Sequence, residues 1–269
     1  MMTHLLLVPG GYTGAWIWRD TAHHLRQKGA TPHPLTLTGL GDRRHLATPS
    51  TTLATHVDDI VQALDHLDPA DPSGPVVLVG HSYGIHPAVG AALRRPGRID
   101  RLIFLDAAMP AHGRSVIDAN PDPAYRDRLR TRAQSLDGWR LPVPPMHDEA
   151  LWGSLADLTE PDLKRLEQLG APQPLATLEE PLDLPKDAPW PPFSAVFCTR
   201  GGFASTAAIQ ALVDTGNPQF RMLADPTARY VDLDTGHYPM LSRPEELADL
   251  LLLAASGEGQ PLRQGPRQP

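Results

Sequence analysis

The chain has 269 residues, 41% of them hydrophobic and 20% charged, which is enough for one large α/β domain with a sizeable core. Its formal net charge of −7 and the lack of a dense lysine and arginine run argue against a nucleic-acid-binding surface. The single cysteine, Cys198, excludes an intrachain disulfide. The apolar run Leu5–Val8 is too short for a signal peptide or a membrane span, so we expect a soluble, cytoplasmic protein.

Short apolar runs alternate with amphipathic segments along the chain. The apolar runs predict six strands: Leu5–Val8, Leu35–Leu37, Val76–Val79, Leu102–Leu105, Ala195–Cys198 and Tyr230–Leu233. The amphipathic segments predict helices at 14–28, 52–67, 84–95, 204–213 and 243–255. Runs such as "VVLV" suit strands that are buried on both faces. The alternation therefore predicts the α/β class, with a doubly wound, mostly parallel sheet.

Residues 110–192 interrupt this alternation, because they are rich in proline, charge and tryptophan. Their predicted helices follow one another without strands between them: 122–135, 148–158 and 160–169. We predict a helical lid here, inserted after the strand that ends at Asp106, with the α/β core formed by 1–109 and 193–256. Residues 257–269 are rich in glycine, glutamine, proline and arginine, which predicts a disordered tail.

The stretch "GHSYG", residues 80–84, places a serine between two glycines, after a predicted strand and before a predicted helix. This is the context of a nucleophile elbow, in which Ser82 occupies a strained turn and its neighbours at ±2 must lack side chains. The alternative is an ordinary glycine–serine turn. Because the motif lies between a strand and a helix, we predict that Ser82 is a nucleophile.

A serine nucleophile needs a base, and His237 is the best placed of the twelve histidines. It follows the last predicted strand, with Gly236 before it to allow a turn, so it lies at the carboxyl edge of the sheet, where sites of doubly wound folds form. The other candidates suit packing or surface roles, since they lie within predicted helices or directly beside the serine: His23, His24, His56, His66, His81 and His86.

The third member of such a triad is a carboxylate between the serine and the histidine in the chain. Asp106 closes the strand "RLIFLD" at the carboxyl edge of the sheet, one strand after the elbow. The acid more often follows the next strand, but the loop "CTRGGFAST" there has no carboxylate. Asp234 and Asp214 are the alternatives, and a loop carboxylate without a catalytic role is the other interpretation of Asp106.

Acyl transfer also needs N–H donors that stabilise an oxyanion. One is expected to be the amide of Tyr83, directly after the serine. The other is expected in the loop "VPGGYTGAW" after the first strand, from the amide of Gly11, with that of Tyr12 as the next choice.

Taken together, these segments resemble the α/β-hydrolase superfamily, in particular the small esterases that include plant methylesterases, hydroxynitrile lyases and their bacterial relatives. The resemblance rests on "LLLVPGGYTGAWIWRDTAHHL", "LTLTGLGDRRHL", "FLDAAMPAHGRS" and "GHYPMLSRPEELADLL", which cover most of the core. It implies triad roles for Ser82, His237 and Asp106. Pro9 stands where many members have histidine, and Tyr238 stands where the lyase members have lysine, which disfavours cyanohydrin cleavage.

The expected activity is hydrolysis of a small or medium apolar ester, such as a methyl ester or lactone, by an acyl-enzyme on Ser82. We expect no cofactor, since no metal-binding or phosphate-binding motif is present. Trp152, Trp139 and Tyr238 are the candidate substrate-binding residues. Two alternatives remain open: a lyase or cyclase that uses the same triad for acid–base chemistry, and a ligand-binding protein whose catalysis is vestigial.

Overall fold

A parallel sheet forms the centre of the computed structural model, which describes residues 2–67, 74–120, 122–184, 189–200 and 204–265. Within these ranges, the sheet has six parallel strands: β1 His4–Val8, β2 Thr31–Pro34, β3 Val76–His81, β4 Arg101–Leu105, β7 Phe193–Cys198 and β8 Arg229–Leu233. They lie in the order β2-β1-β3-β4-β7-β8. Two short strands outside this sheet pair antiparallel with each other: β5 Arg140–Leu141 and β6 Gln173–Pro174.

Helices cover both faces of the sheet. Those of the core are α1 Arg19–Gln27, α2 Leu53–Asp65, α3 Ile85–Arg94, α8 Thr206–Asp214, α9 Pro239–Ser242 and α10 Pro244–Ala255. Short 3₁₀ segments lie at Ala15–Trp18, Gly41–Leu46, Ser82–Gly84, Ile117–Ala119 and Pro218–Ala224. In the part of the chain that the structure describes, no helix combines the length and the apolar character needed to cross a membrane.

Alternating side chains of the strands build two separate cores. Leu5 and Leu7 of β1 are fully buried on one face, in the same cluster as residues of α1 and α10. Leu6 and Val8 are fully buried on the other face, together with residues of α2 and α3. A strand buried on both faces reads as a continuous apolar run. The predicted fold class, a doubly wound parallel sheet, is confirmed.

The second strand differs from the prediction, which placed it at Leu35–Leu37. It is Thr31–Pro34 instead, paired in parallel with β1. This strand is at the edge of the sheet, where one side of its backbone has no partner strand, so two prolines are tolerated. The apolar run follows the strand, and the Leu35 amide continues the pairing to the Leu7 carbonyl at 3.0 Å.

The segment 110–192, which we continue to call the lid, contains α4 Tyr125–Gln134, α5 Glu149–Trp152, α6 Glu160–Leu169 and α7 Ala176–Glu179. The helix predicted at 148–158 is only one turn long. It ends at Gly153, whose φ of +80° lies outside helical geometry and favours glycine. Residues 185–188 of the lid's exit lie outside the described residues.

The chain beyond α10 returns to the sheet. Gln260 and Tyr230 of β8 exchange both backbone hydrogen bonds, at 2.9 and 3.0 Å, and the Arg263 amide donates to the Gln210 side chain at 2.8 Å. The expected disorder is therefore not met for 257–265. The exposed edge of β8 offers unpaired backbone groups, which the returning segment satisfies. Residues 266–269 lie outside the described residues.

Candidate active site

The register of the strands brings three loop starts together at the carboxyl edge of the sheet. Val8 pairs with Gly80, and His81 pairs with Leu105. The residues that follow these strands are therefore neighbours: the glycine-rich loop after β1, Ser82 after β3 and Asp106 after β4. Ser82 and Asp106 both have left-handed backbone conformations, with φ of +50° and +44°. Such strain in non-glycine residues is typical of functional turns.

The glycines around Ser82 are required by close packing. A Cβ on Gly80 would lie 2.6 Å from the Ile85 Cα, and one on Gly84 would lie 2.4 Å from the Pro9 carbonyl oxygen. Both distances are too short for any side chain. The G-x-S-x-G spacing is therefore fixed by the tight passage from β3 into the 3₁₀ turn and α3, as a nucleophile elbow requires.

His237 and Asp106 are joined directly. The His237 Nδ1 lies 2.5 Å from the Asp106 Oδ2, and the Asp106 side chain is fully buried. The other carboxylate oxygen, Oδ1, accepts a hydrogen bond from the Cys198 amide at 3.1 Å. With Nδ1 bonded to the carboxylate, the imidazole presents Nε2 on its other side, and His237 and Ser82 line the same pocket.

The alternative acids lie elsewhere. Asp234 is 80% exposed and pairs with Arg200, while Asp214 accepts a hydrogen bond from the Gln210 amide group. Neither residue lines the pocket that contains Ser82. The Arg200 side chain also pairs with Asp157 of the lid. Residues 201–203 of the "CTRGG" loop lie outside the described residues.

Two backbone amides beside Ser82 are available as donors. The amides of Gly11 and Tyr83 donate no hydrogen bond to another group of the described residues, and both residues line the pocket of Ser82. The second choice, the Tyr12 amide, is already occupied, since it donates to the Gln173 Oε1 at 3.1 Å. The expectation that Tyr12 could serve as a donor is therefore not met. Its φ of +62° turns its peptide towards the lid.

The lid also holds the loop of His237. The His237 amide donates to the Ser154 carbonyl at 2.8 Å, and the Tyr238 hydroxyl donates to the Trp152 carbonyl at 2.8 Å. A Cβ added to Gly153 would lie 2.8 Å from the His237 ring, so only glycine fits against that face of the imidazole.

Ser82, His237 and Asp106 lie on the wall of one pocket of about 280 Å³, together with apolar and aromatic residues of the lid. The lining includes Ser82, His237, Tyr12, Tyr125, Leu129, Leu151, Trp152, Leu178 and Tyr238. Trp152 and Tyr238 thus lie where the sequence placed substrate-binding residues. Trp139 does not lie there. The Arg140 guanidinium lies over the Trp139 ring, 4.7 Å from the ring centroid, and the Trp139 carbonyl accepts a hydrogen bond from the Leu175 amide. It does not line the pocket of Ser82, so that expectation is not met.

Two further histidines hydrogen-bond to residues of the site. The sequence indicated a surface or packing role for His56 and excluded His81 as the base because it is adjacent to Ser82. The His81 Nε2 donates to the His237 carbonyl at 2.8 Å. The His56 Nε2 donates to the Thr38 carbonyl at 2.8 Å, so its Nδ1 accepts from the Tyr83 hydroxyl at 2.7 Å. Burial lowers the pKa of His56 to about 4 and holds the pKa of His81 well below its usual value, so both rings are neutral at pH 7.

Comparison with known proteins gives the same fold and adds the family. A sequence model of the alpha/beta hydrolase family matches residues 5–250. A carbendazim-hydrolyzing esterase of Nocardioides is 31% identical over 259 residues, which covers 93% of this chain and 98% of that protein. A putative chloroplastic methylesterase 15 of Arabidopsis thaliana is 34% identical over 123 residues, 45% of this chain and 27% of its own length.

Among solved structures, an extracellular alpha/beta-hydrolase from a Paenibacillus species superposes with a TM-score of 0.75 at 20% identity. The match covers 94% of this chain and 98% of that one. At this identity the likeness concerns the fold alone. The resemblance to small esterases, first indicated by the motifs, is confirmed.

Proposed function

The chain belongs to the α/β-hydrolase family, and from this premise we propose that it hydrolyses a carboxylic ester by an acyl-enzyme formed on Ser82. The observation that carries the proposal is the 2.5 Å contact between the His237 Nδ1 and the Asp106 Oδ2, beside a serine in elbow geometry. An imidazole bonded to a carboxylate in this way has its Nε2 free to take the serine proton.

In the first half-reaction, the His237 Nε2 takes the proton of the Ser82 hydroxyl while Oγ attacks the ester carbonyl. The negative charge that develops on the carbonyl oxygen is stabilised by the amides of Gly11 and Tyr83, which have no other acceptor among the described residues. His237 then gives its proton to the leaving alcohol. Asp106 holds the imidazole in the required tautomer and stabilises the imidazolium.

In the second half-reaction, water replaces the alcohol. His237 takes a proton from the water, hydroxide adds to the acyl-serine, and the collapse of the second intermediate releases the acid and restores Ser82. The mostly apolar pocket of about 280 Å³ supports a small or medium apolar ester, such as a methyl ester or a lactone.

The test is intact-mass analysis after treatment with a fluorophosphonate. We expect one adduct on the wild type, none on Ser82→Ala, and much slower labelling of His237→Ala. A wild type that forms no adduct would overturn the proposal, because Ser82 would then lack activation. Adduct formation without turnover of any ester would favour a lyase or cyclase that uses the same groups.

A further inference from the structure

One polar side chain on the wall of the pocket has no part in the proposed chemistry. His86 lies on α3 and lines the same pocket as Ser82, although only 9% of the residue is exposed. Its Nδ1 is fully buried, so the ring can meet a ligand only through Nε2, which makes no hydrogen bond to a described residue. Most polar groups that are buried in native proteins and complexes have a hydrogen-bond partner, so a ligand that covers Nε2 has to supply one.

The imidazole of His86 is neutral at pH 7. Burial lowers its pKa to about 4, and the Tyr83 carbonyl, which favours the charged form, offsets this only in part. A neutral imidazole carries one N–H donor and one nitrogen lone pair, so it can pair with either an acceptor or a donor.

His86 is not a candidate for the general base in place of His237. No carboxylate bonds its ring among the described residues, whereas His237 is held by Asp106. Its position does suit contact with a substrate. It is the second residue of α3, four residues after Ser82, and both residues line the same pocket.

We propose that His86 is a polar specificity subsite, whose Nε2 hydrogen-bonds a nitrogen or oxygen function of the substrate away from the scissile carbonyl. The inference rests on the proposed ester hydrolysis and narrows its substrate class. The pocket is otherwise lined mainly by apolar and aromatic side chains, so the substrate is an aromatic or heterocyclic ester with one such heteroatom. An ester of the same shape without that heteroatom lacks the group that pairs with His86.

The test uses two pairs of methyl esters that differ at one ring position. Methyl indole-5-carboxylate and methyl 1-benzothiophene-5-carboxylate compare an N–H with a sulfur, and methyl quinoline-6-carboxylate and methyl naphthalene-2-carboxylate compare a ring nitrogen with a CH. We expect the wild type to prefer the nitrogen member of at least one pair by about 10-fold or more in kcat/KM, as a paired buried polar group discriminates.

Three variants show whether His86 causes the preference. In His86→Leu we expect the ratio within each pair to fall to about 2-fold or less, whereas His86→Gln, whose amide can reach the position of Nε2, keeps a preference for nitrogen. The exposed His23, changed to Gln, is the matched control and keeps the wild-type ratio. The ratio within a pair is internally normalised, so a general loss of activity does not imitate the effect.

Several results would overturn the inference. These are a wild type without preference in either pair, a His86→Leu variant that keeps it, and an equal loss in His86→Gln and His86→Leu, which would point to shape rather than hydrogen bonding. Wild type that labels with fluorophosphonate on Ser82 but turns over none of the four esters would also contradict it. Absence of labelling would instead contradict the proposed function, so the two failures are distinguishable.

Discussion

The side-chain oxygen of Gln173 accepts the hydrogen bond of the Tyr12 amide, at 3.1 Å. Tyr12 belongs to the loop after β1, and Gln173 belongs to the lid. The lid holds the same residue at its other backbone group, since the Ala171 amide donates to the Tyr12 carbonyl at 2.8 Å. The Gln173 amide group in turn donates to the Thr177 hydroxyl at 2.6 Å. The lid thus fixes the loop that presents the Gly11 amide to the pocket.

Replacing Gln173 by Glu should lower kcat with little change in KM. The side-chain oxygen lies 3.6 Å from the position of a Cβ on Gly11, so a carboxylate there opposes the negative charge of the transition state. We expect kcat to fall by about 10- to 100-fold relative to wild type at pH 8. This loss should shrink as the pH falls, because the new carboxyl group becomes protonated. Gln173→Met, without charge, should lose stability by about 1–3 kcal/mol but show no such pH dependence in its ratio.

Asp106→Asn should reduce kcat by about 10³- to 10⁴-fold, because an amide at this position favours the wrong tautomer of His237. The exposed Asp234, changed to Asn, is the matched control and should stay within about twofold of wild type, as its ion pair with Arg200 is on the surface. Steady-state rates on a methyl ester measure both. Equal losses in the two variants would remove Asp106 from the triad.

His56 and Tyr83 should act as a pair. The His56 Nδ1 accepts from the Tyr83 hydroxyl, and the Tyr83 amide is one of the two proposed oxyanion donors. We expect His56→Leu and Tyr83→Phe each to lower kcat by about 10-fold at nearly constant KM, a fraction of what loss of a donor costs. The double variant should lose little more than either single one, so the cycle gives a coupling of about 1 kcal/mol. Additive losses would mean that His56 does not position Tyr83.

Acid should destabilise the protein before its carboxylates titrate. The pKa of His56 and that of His86 are both about 4 in the fold, below the ordinary value near 6.5. The unfolded chain therefore binds more protons between these values, so stability is complete above about pH 6.5 and falls as the pH decreases towards 4. Each histidine should cost about 2 kcal/mol between pH 8 and pH 5.

Urea unfolding at several pH values from 5 to 8 measures this loss. His86→Leu should flatten the dependence, because one titrating group is removed, whereas the exposed His23, changed to Gln, should leave it unchanged. A slope that His86→Leu does not alter would show that the ring is protonated in the folded protein near pH 5.

The sequence was sufficient to predict the positions of the candidate site residues that follow the ends of strands. Ser82 and Asp106 follow neighbouring parallel strands, and the register of β3 with β4 then places them side by side. The limits of the elbow come from local sterics at Gly80 and Gly84, which a short motif encodes. Such features need no knowledge of distant contacts.

Other parts of the site depend on contacts that no local pattern encodes. Gln173 meets Tyr12 across 161 residues, and His56 meets Tyr83 across 27, so neither partner carries a signal in its own segment. Trp139 is a large aromatic residue of the lid, as a pocket residue often is, but its ring contacts Arg140 and does not line the pocket. The strand at Thr31–Pro34 was missed because edge position, rather than residue propensity, allows it.

The contact of Gly153 with the His237 ring makes the lid a poor candidate for exchange between relatives. A graft that carries any side chain at 153 pushes against the imidazole, and one that moves the Ser154 carbonyl releases the backbone of the His237 loop. A lid transplanted from a relative would have to include residues 152–154 and 171–173 together with the two core loops that they contact, which contain Tyr12 and His237. The pocket residues of α4 and α7 lie outside those segments, so inherited changes in substrate range are expected to accumulate there.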